Sequence, residues 1–338
     1  MASFSSPEQV PGVSARLTAQ EVLDVLRAAH RAPSIHNTQP WLLRPLPDGV
    51  EVQEDVARAL LASDPHGRDR VVSCGAAVRN AEVTLARLGW RPQTALFPAG
   101  SQDHLLARVV AGPEQPVTGD AEDLYRAIWE RHTHRRIFMA GGEEEDVPPS
   151  FHHAVRGIEG VRLVTLPAHR RARFAELLWE AAQQQVADEE RRAEILRWTK
   201  APAAGDGIPA RSMGNAPFPI DSLLVHTLRH DQSAPPWITT SLASGPVVAL
   251  LTDGDDRPDW LRAGLALESL LLAATVAGLV ASFLNQVVQQ EDARPALAAM
   301  LGDAGHPQVV LRIGQPLVDV PLTPRRPLTD VTLGWPQP

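Results

Sequence analysis

Cysteine is almost absent. Cys74 is the sole one in 338 residues, which excludes an intrachain disulfide and leaves a thiolate metal site without ligands. Lysine is equally scarce: Lys200 stands alone among 32 basic residues. Positive charge at any anion site must therefore come from arginine, whose planar fork suits phosphate. An excess of positive charge is also missing, since the net charge is −8. That argues against a nucleic-acid or anionic-membrane surface. The uncharged run Leu270 to Leu284 covers 15 residues before Asn285-Gln286, short for a membrane span and suited to a buried core helix. Met1 to Gly12 has no basic n-region and no apolar h-region, so a cytoplasmic protein is expected. There is no Walker A and no H-E-x-x-H. The histidines at 132, 134, 152 and 153 lack acidic or cysteine partners at ligand spacing, so no metal is expected.

What remains is a chain of ordinary globular composition, 44% apolar and 21% charged, long enough for one large domain or two smaller ones. Apolar periodicity predicts helices over Leu17 to His30, Ser73 to Leu88, Ala121 to Glu130, Arg171 to Trp198 and Trp260 to Ala277. Strands are predicted at Leu42 to Leu46 and Val50 to Gln53, around the turn Pro47-Asp48-Gly49. Further strands are expected at Thr94 to Phe97, Leu105 to Val110, Val161 to Leu166, Val247 to Leu251, Ser282 to Val288 and Val309 to Ile313. Residues 199–240, rich in Pro, Gly and Ala, show no clear element and read as a lid or a connector.

The chain repeats itself. Gly75 to Gly89 lies over Gly264 to Gly278 with both glycines in register, Ala77 on Ala266, Val78 on Leu267 and Asn80 on Ser269. Each copy runs on through a strand region to a Gly–Pro close, at Gly112-Pro113 and at Gly314-Gln315-Pro316. An internal duplication follows, with halves 1–117 and 118–338.

Two stretches gather chemistry. In Arg31-Ala-Pro-Ser-Ile-His-Asn-Thr-Gln-Pro-Trp41, Pro33 stops a helix and Pro40 forces Gln39 into an extended conformation. Between them Ser34, Asn37, Thr38 and Gln39 can present hydroxyls and amides to a flat heterocycle. In Arg131-His-Thr-His-Arg-Arg136, guanidinium forks beside a hydroxyl make a phosphate clamp through charge-assisted bonds, or else a solvated helix end.

The first stretch, P-S-x-x-N-x-Q-P-W, closely resembles the flavin-binding signature of the nitroreductase family, and its longer form RAPSIHNTQPW most resembles the Acg-like branch. The second, R-x-T-x-R-R, resembles the family's R-R-S-x-R motif. The resemblance implies FMN as cofactor, with NADPH or NADH as reductant, held by Pro33, Ser34, Asn37, Gln39, Arg131, Thr133 and Arg135. His132 stands where the family has its second arginine. Arg325 and Arg326 resemble the C-terminal basic pair of the phosphate site. The backbone amide that faces the flavin N5 in the family falls near Leu284 to Gln286, with Asn285 as the candidate contact. The implied fold is α+β, with two central antiparallel sheets flanked by helices as a pseudo-dimer.

Family members are usually homodimers whose sites take one motif from each subunit. Here each motif occurs once, in different halves, so one chain assembles one site, which admits a monomer. The second-half counterpart of 31–41 is expected near Lys200-Ala201-Pro202, without the signature. Gly205-Asp-Gly-Ile-Pro-Ala210 matches G-x-G-x-x-A, but it follows no strand and Pro209 blocks the helix that should open there. Two functions remain: an oxidoreductase acting on a small electron-poor or conjugated substrate, or a protein that holds FMN under a lid at 199–240. In the second reading Met213, Phe218 and Trp237 would cover the ring.

Overall fold

A computed structural model describes residues 16–136, 138–139, 147–199, 205–209, 212 and 236–334. Helix α1 (Ala19–His30) opens with a capping box, Thr18 and Glu21 bonding each other's backbone amides, and buries Val22, Val25 and Leu26. A 3-10 turn (Ile35–Asn37) leads into the hairpin β1 (Trp41–Leu46) and β2 (Gly49–Glu54). Helix α2 (Arg68–Arg87) follows, then β3 (Trp90–Leu96) and β4 (Leu105–Glu114). These four strands form an antiparallel sheet in the order β1-β2-β4-β3. Burial alternates along β3, because this sheet is covered on one face only, by α1 and α2.

Helix α3 (Gly119–Glu130) leads into the second half. Helix α4 (Pro149–Arg156) precedes β5 (Val161–Thr165). Helices α5 (Arg171–Ala187), α6 (Glu189–Thr199) and α7 (Pro236–Leu242) come before β6 (Val247–Thr252). Helix α8 (Arg257–Val276), β7 (Val280–Phe283), α9 (Gln286–Gln289), α10 (Ala293–Met300) and β8 (His306–Gly314) complete it. The second sheet runs β5-β6-β8-β7, the same order with the same pairings. Even the bulge recurs: the β2–β4 register shifts at Val52/Gln53 and the β6–β8 register at Leu250/Leu251.

The duplication is therefore structural as well as textual. Helices α2 and α8 each span 20 residues and cross where Gly75 meets Gly264. A Cβ on Gly75 would lie 2.2 Å from the Leu261 carbonyl oxygen, and one on Gly264 would lie 2.1 Å from that of Val72. The paired glycines thus mark the axis between the halves. Gly89 and Gly278 both take left-handed φ just past their helices.

Several boundaries differ from the sequence reading. The helix expected over 171–198 breaks at Asp188, whose ψ of 112° separates α5 from α6. The strand expected over 282–288 is β7, ending at Phe283, after which the chain turns into α9. The strand β4 continues through Gly112-Pro113, and its register matches Gly112 with Gly314 across the halves. The counterpart of 31–41 also moves. Residues 200–202 lie outside the described residues, but β5 holds the sheet position of β1, so the counterpart is the short link 157–160. Residues 166–246 are then an insertion at the hairpin that Pro47-Asp48 closes in the first half. Its helices cover the far face of the second sheet, so Val247, Ala249 and Leu251 pack on α5 while Val248 and Leu250 face α4 and α8. Every residue of β6 is buried, which gives its unbroken apolar run. No described helix is long and apolar enough to cross a membrane.

Candidate active site

The loop after α1 is held in a costly shape. His36, Asn37 and Gln39 all have φ between 45° and 57°, three left-handed non-glycine residues within four positions. Gln39 is therefore not extended as Pro40 predicts: its tertiary hydrogen bonds override the local preference. Local bonds fix it: the Gln39 amide donates to Ser34 Oγ at 2.9 Å, and the Ile35 amide to Ser73 Oγ of α2 at 3.2 Å. Distant bonds complete it. Asn37 Nδ2 donates to the carbonyls of Gly207 and Pro324, and its Oδ1 accepts from Arg325. Gln39 Nε2 donates to the carbonyls of Asn37 and Gly205, and its Oε1 accepts from the Arg326 amide. Gly205-Asp206-Gly207, which resembled a dinucleotide motif, is thus a turn latched onto this loop, with Asp206 paired to Arg58.

Beneath the loop lies a cavity of about 130 Å³, opening into a cleft whose free space out to solvent is about 1070 Å³. Pro33, Ser34 and Asn37 line it from the loop. Arg131, Thr133 and Arg135 reach it from the stretch after α3, which runs along β7 through a Thr133–Ala281 bridge. Asn285, beyond β7, and Arg325, from the C-terminal tail, complete the set. Gln39 and Arg326 do not line it: Gln39 is fully buried, and Arg326 turns toward Asp55 and Asp330. Eight of the ten expected residues therefore converge on one cavity, and the other two brace the loop from behind. Most of the expected lid, including Met213 and Phe218, lies outside the described residues; Ile208 is on the cavity wall.

Arg131 caps the C-terminal end of α3, where the helix dipole favours a cation. It is 6% exposed, and among the described residues its Nε and Nη1 make no hydrogen bond. The nearest carboxylate, Glu268 of α8, lies 3.6 Å from Nε, an ion pair beyond hydrogen-bond reach. Burial works against the Arg131 charge and Glu268 supports it. Burial pushes Glu268 up to about 7, against the pull of Arg131 and of the Asn80 amide. Arg325 is different. Its N–H groups are consumed by the carbonyls of His30, Arg31, Ala32 and Pro324, so it contributes charge and not donors. A buried guanidinium with free N–H groups, backed by a second cation, is the chemistry of an anion site. Hydroxyls and amides from Ser34, Thr133 and Asn285 give a planar heterocycle its edges, so the donor set fits a flavin nucleotide.

A larger cavity, about 860 Å³, lies across the molecule. Thr94, Leu96 and Arg262 line it, each 189 residues before or after Phe283, Asn285 and Ser73 of the first cavity. It is the counterpart of the first by the internal symmetry. Its charges are already matched, Arg79 to Glu82 at 2.9 Å and Arg262 to Asp259 at 3.5 Å, and Asp120, Asp123 and Glu159 make its mouth acidic. Size alone would select this cavity; the donor set selects the other.

The sequence reading missed Glu268, His36 and Ser73 on or beside the cavity. A lone carboxylate inside the apolar run Leu265 to Ala274 was the available signal for Glu268.

No protein-family model matches the chain. Rv3131, a candidate NAD(P)H nitroreductase of Mycobacterium tuberculosis H37Rv, is 34% identical over 331 residues, covering 94% of this chain and 92% of that protein. The candidate NAD(P)H nitroreductase Acg of the same strain is 28% identical over 333 residues, covering 93% and 96%. Among solved structures, a nitroreductase candidate from Anabaena variabilis ATCC 29413 covers 88% of each chain at 10% identity and a TM-score of 0.46. The FMN-dependent nitroreductase NfnB of Mycobacterium smegmatis, in complex with NADPH, covers 64% of this chain and 99% of that one at 19% identity and a TM-score of 0.37. The structural scores are too low to bear an argument; the sequence relatives bear it.

Proposed function

The chain belongs to the nitroreductase family, in its Acg-like branch, and from that premise we propose that it is an FMN-dependent oxidoreductase with its flavin in the cavity under residues 33–39. NADPH or NADH would be the reductant and a small electron-poor or conjugated compound the acceptor. The observation that carries this reading is the buried Arg131, whose free N–H groups meet the cavity beside Ser34, Thr133 and Asn285.

FMN bound there would supply hydride acceptance at N5 and onward electron transfer. The chain's own part is binding and electrostatics. Arg131, with Arg135 and Thr133 beside it, favours a phosphate or an anionic ring edge. Ser34 and Asn285 orient the ring. Asn37, Gln39, Arg325 and Arg326 hold the strained loop and the tail in one arrangement, so they act on the cofactor through position. The Leu284 amide is spent on the Val310 carbonyl, which leaves Asn285 and Gln286 as the residues of that bend able to meet the ring.

A second reading, flavin retention with little turnover, is favoured by the latch of Gly205–Gly207 onto Asn37 and Gln39. One experiment separates the two. FMN-loaded protein is mixed anaerobically with NADPH, then with NADH, while the visible absorption of the flavin is followed. Rapid bleaching is the expected result. A band that persists until dithionite is added supports retention, and absence of FMN binding overturns both.

A further inference from the structure

Glu268 has no role in what has been described so far. It is fully buried on α8, next to Leu267 of the cavity lining and behind Arg131. The groups that face it come from three elements. Helix α2 presents Asn80 and Arg79, the stretch after α3 presents Arg131, and the tail presents Arg325. Arg31, at the end of α1, acts in turn on Arg131. Arg79 already has a carboxylate in Glu82, and Arg325 is wrapped in carbonyls. Among the described residues Arg131 has only Glu268 as a carboxylate partner, at a distance too long for a hydrogen bond.

We propose that Glu268 is the resident counter-ion of the anion site, balancing Arg131 in the free protein and taking up one proton from solvent when an anion docks against the arginines. The inference rests on the flavin reading only for the identity of that anion.

The physical reason is crowding of like charge. A phosphate dianion beside Arg131 adds two negative charges to a region where Glu268 already supplies one, with little water to screen them. Protonating Glu268 relieves the repulsion at small cost, because burial has already brought its carboxyl to about 7. The internal symmetry gives a second reason. The position of Glu268 on α8 corresponds to Arg79 on α2, 189 residues earlier. A shared packing need between the two helices would favour similar residues at these positions; opposite charges point to a demand from one cavity alone.

The test is calorimetric titration of the apoprotein with FMN at pH 8, where the phosphate is already fully ionised and cannot itself supply the signal. Two buffers of different ionisation enthalpy report the protons exchanged. Wild-type protein is expected to take up about one proton per FMN, and E268Q close to none. Above pH 7 the wild-type affinity should weaken by up to about tenfold per pH unit, while that of E268Q stays flat and is about tenfold tighter at pH 8. Wild-type binding without proton uptake, or full uptake retained by E268Q, overturns the proposal. If FMN does not bind, the flavin reading fails and sulfate becomes the probe, read by thermal shift across the same pH range. A slope present in wild type and absent in E268Q then supports the counter-ion; equal slopes overturn it. If E268Q does not fold, infrared difference spectra of wild-type protein decide: a carboxylic-acid band that grows on FMN addition supports the proposal, and its absence overturns it.

Discussion

His30 sits under the site loop, its Nδ1 accepting from Trp41 Nε1 at 3.0 Å and its Nε2 donating to the Arg326 carbonyl at 2.9 Å. This arrangement needs a neutral ring. Burial, joined by Arg325, Arg326 and Arg31, lowers its pKa to about 4 from 6.5, against the opposing effect of the Arg326 carbonyl. Between those values the unfolded chain binds the proton and the folded protein does not. Stability from this residue is therefore complete above about pH 6.5 and falls with pH, by about 3 kcal/mol once pH 4 is reached. Urea unfolding from pH 7 to pH 4 should show that fall, and a His30→Phe variant should show less of it. Arg131→Ala addresses the site itself. Losing a charge-assisted bond should weaken FMN binding by about 1.5–3 kcal/mol, roughly 10- to 150-fold, as read by quenching of flavin fluorescence. Unchanged affinity would remove Arg131 from the site. At this scale the sequence was most legible where a side chain meets the cavity directly, as with Ser34 and Thr133. Asn37 and Gln39 carried the right motif, but their partners lie near 205–207 and 324–326, and no local pattern encodes a pairing over such separations.

Helices α2 and α8 make the central contact of the fold, and the repeat that revealed them also named the residues at their crossing. Adding one methyl at Gly75 or at Gly264 drives the helices apart, because the obstructing atoms are backbone. Gly75→Ala and Gly264→Ala should each destabilise by about 1–3 kcal/mol or more. The double variant should cost less than the sum, since one separation relieves both clashes. Chemical denaturation of the four proteins measures this; strict additivity would mean the two sites do not share the contact. Gly89→Ala makes the comparison, having the left-handed φ of 85° but no atom closer than 3.5 Å to its new methyl. It should cost only the backbone strain, about 1 kcal/mol. Where the sequence reading of elements failed, the cause was tertiary. Residues 188–194 are almost all charged and contain neither Gly nor Pro, so nothing local marks the break between α5 and α6. The β-branched pair Val287-Val288 suggests that the strand continues past Phe283, but these residues belong to α9, where both side chains are buried. Short α4 was missed because only Phe151 and Val155 are fully buried along it.

The two halves are bound by more than the helix crossing. After β8 the tail returns to the first half, where Val331 O accepts from the Leu43 amide and the Leu333 amide donates to Leu43 O, adding a parallel bridge to the edge of β1. On the way Arg325 gathers the carbonyls at the end of α1. A chain ending at Pro321 should therefore lose both the β1 edge and the loop geometry. The expected outcome is a lower unfolding midpoint and loss of FMN binding, read by circular dichroism and flavin fluorescence; retained binding would show that the tail is dispensable. At this scale the duplication and the sheet class were legible, whereas the placement of the insertion was not. Its position at the β5–β6 hairpin appears only when the strand orders are compared. The unequal cavities have a consequence of their own. In a symmetric pair of identical subunits every substitution is printed twice, so neither site can drift without dragging the other. Here each half has its own codons. One cavity could keep its arginines while its twin turned acidic, and the second is free to be selected for something the first never had to do.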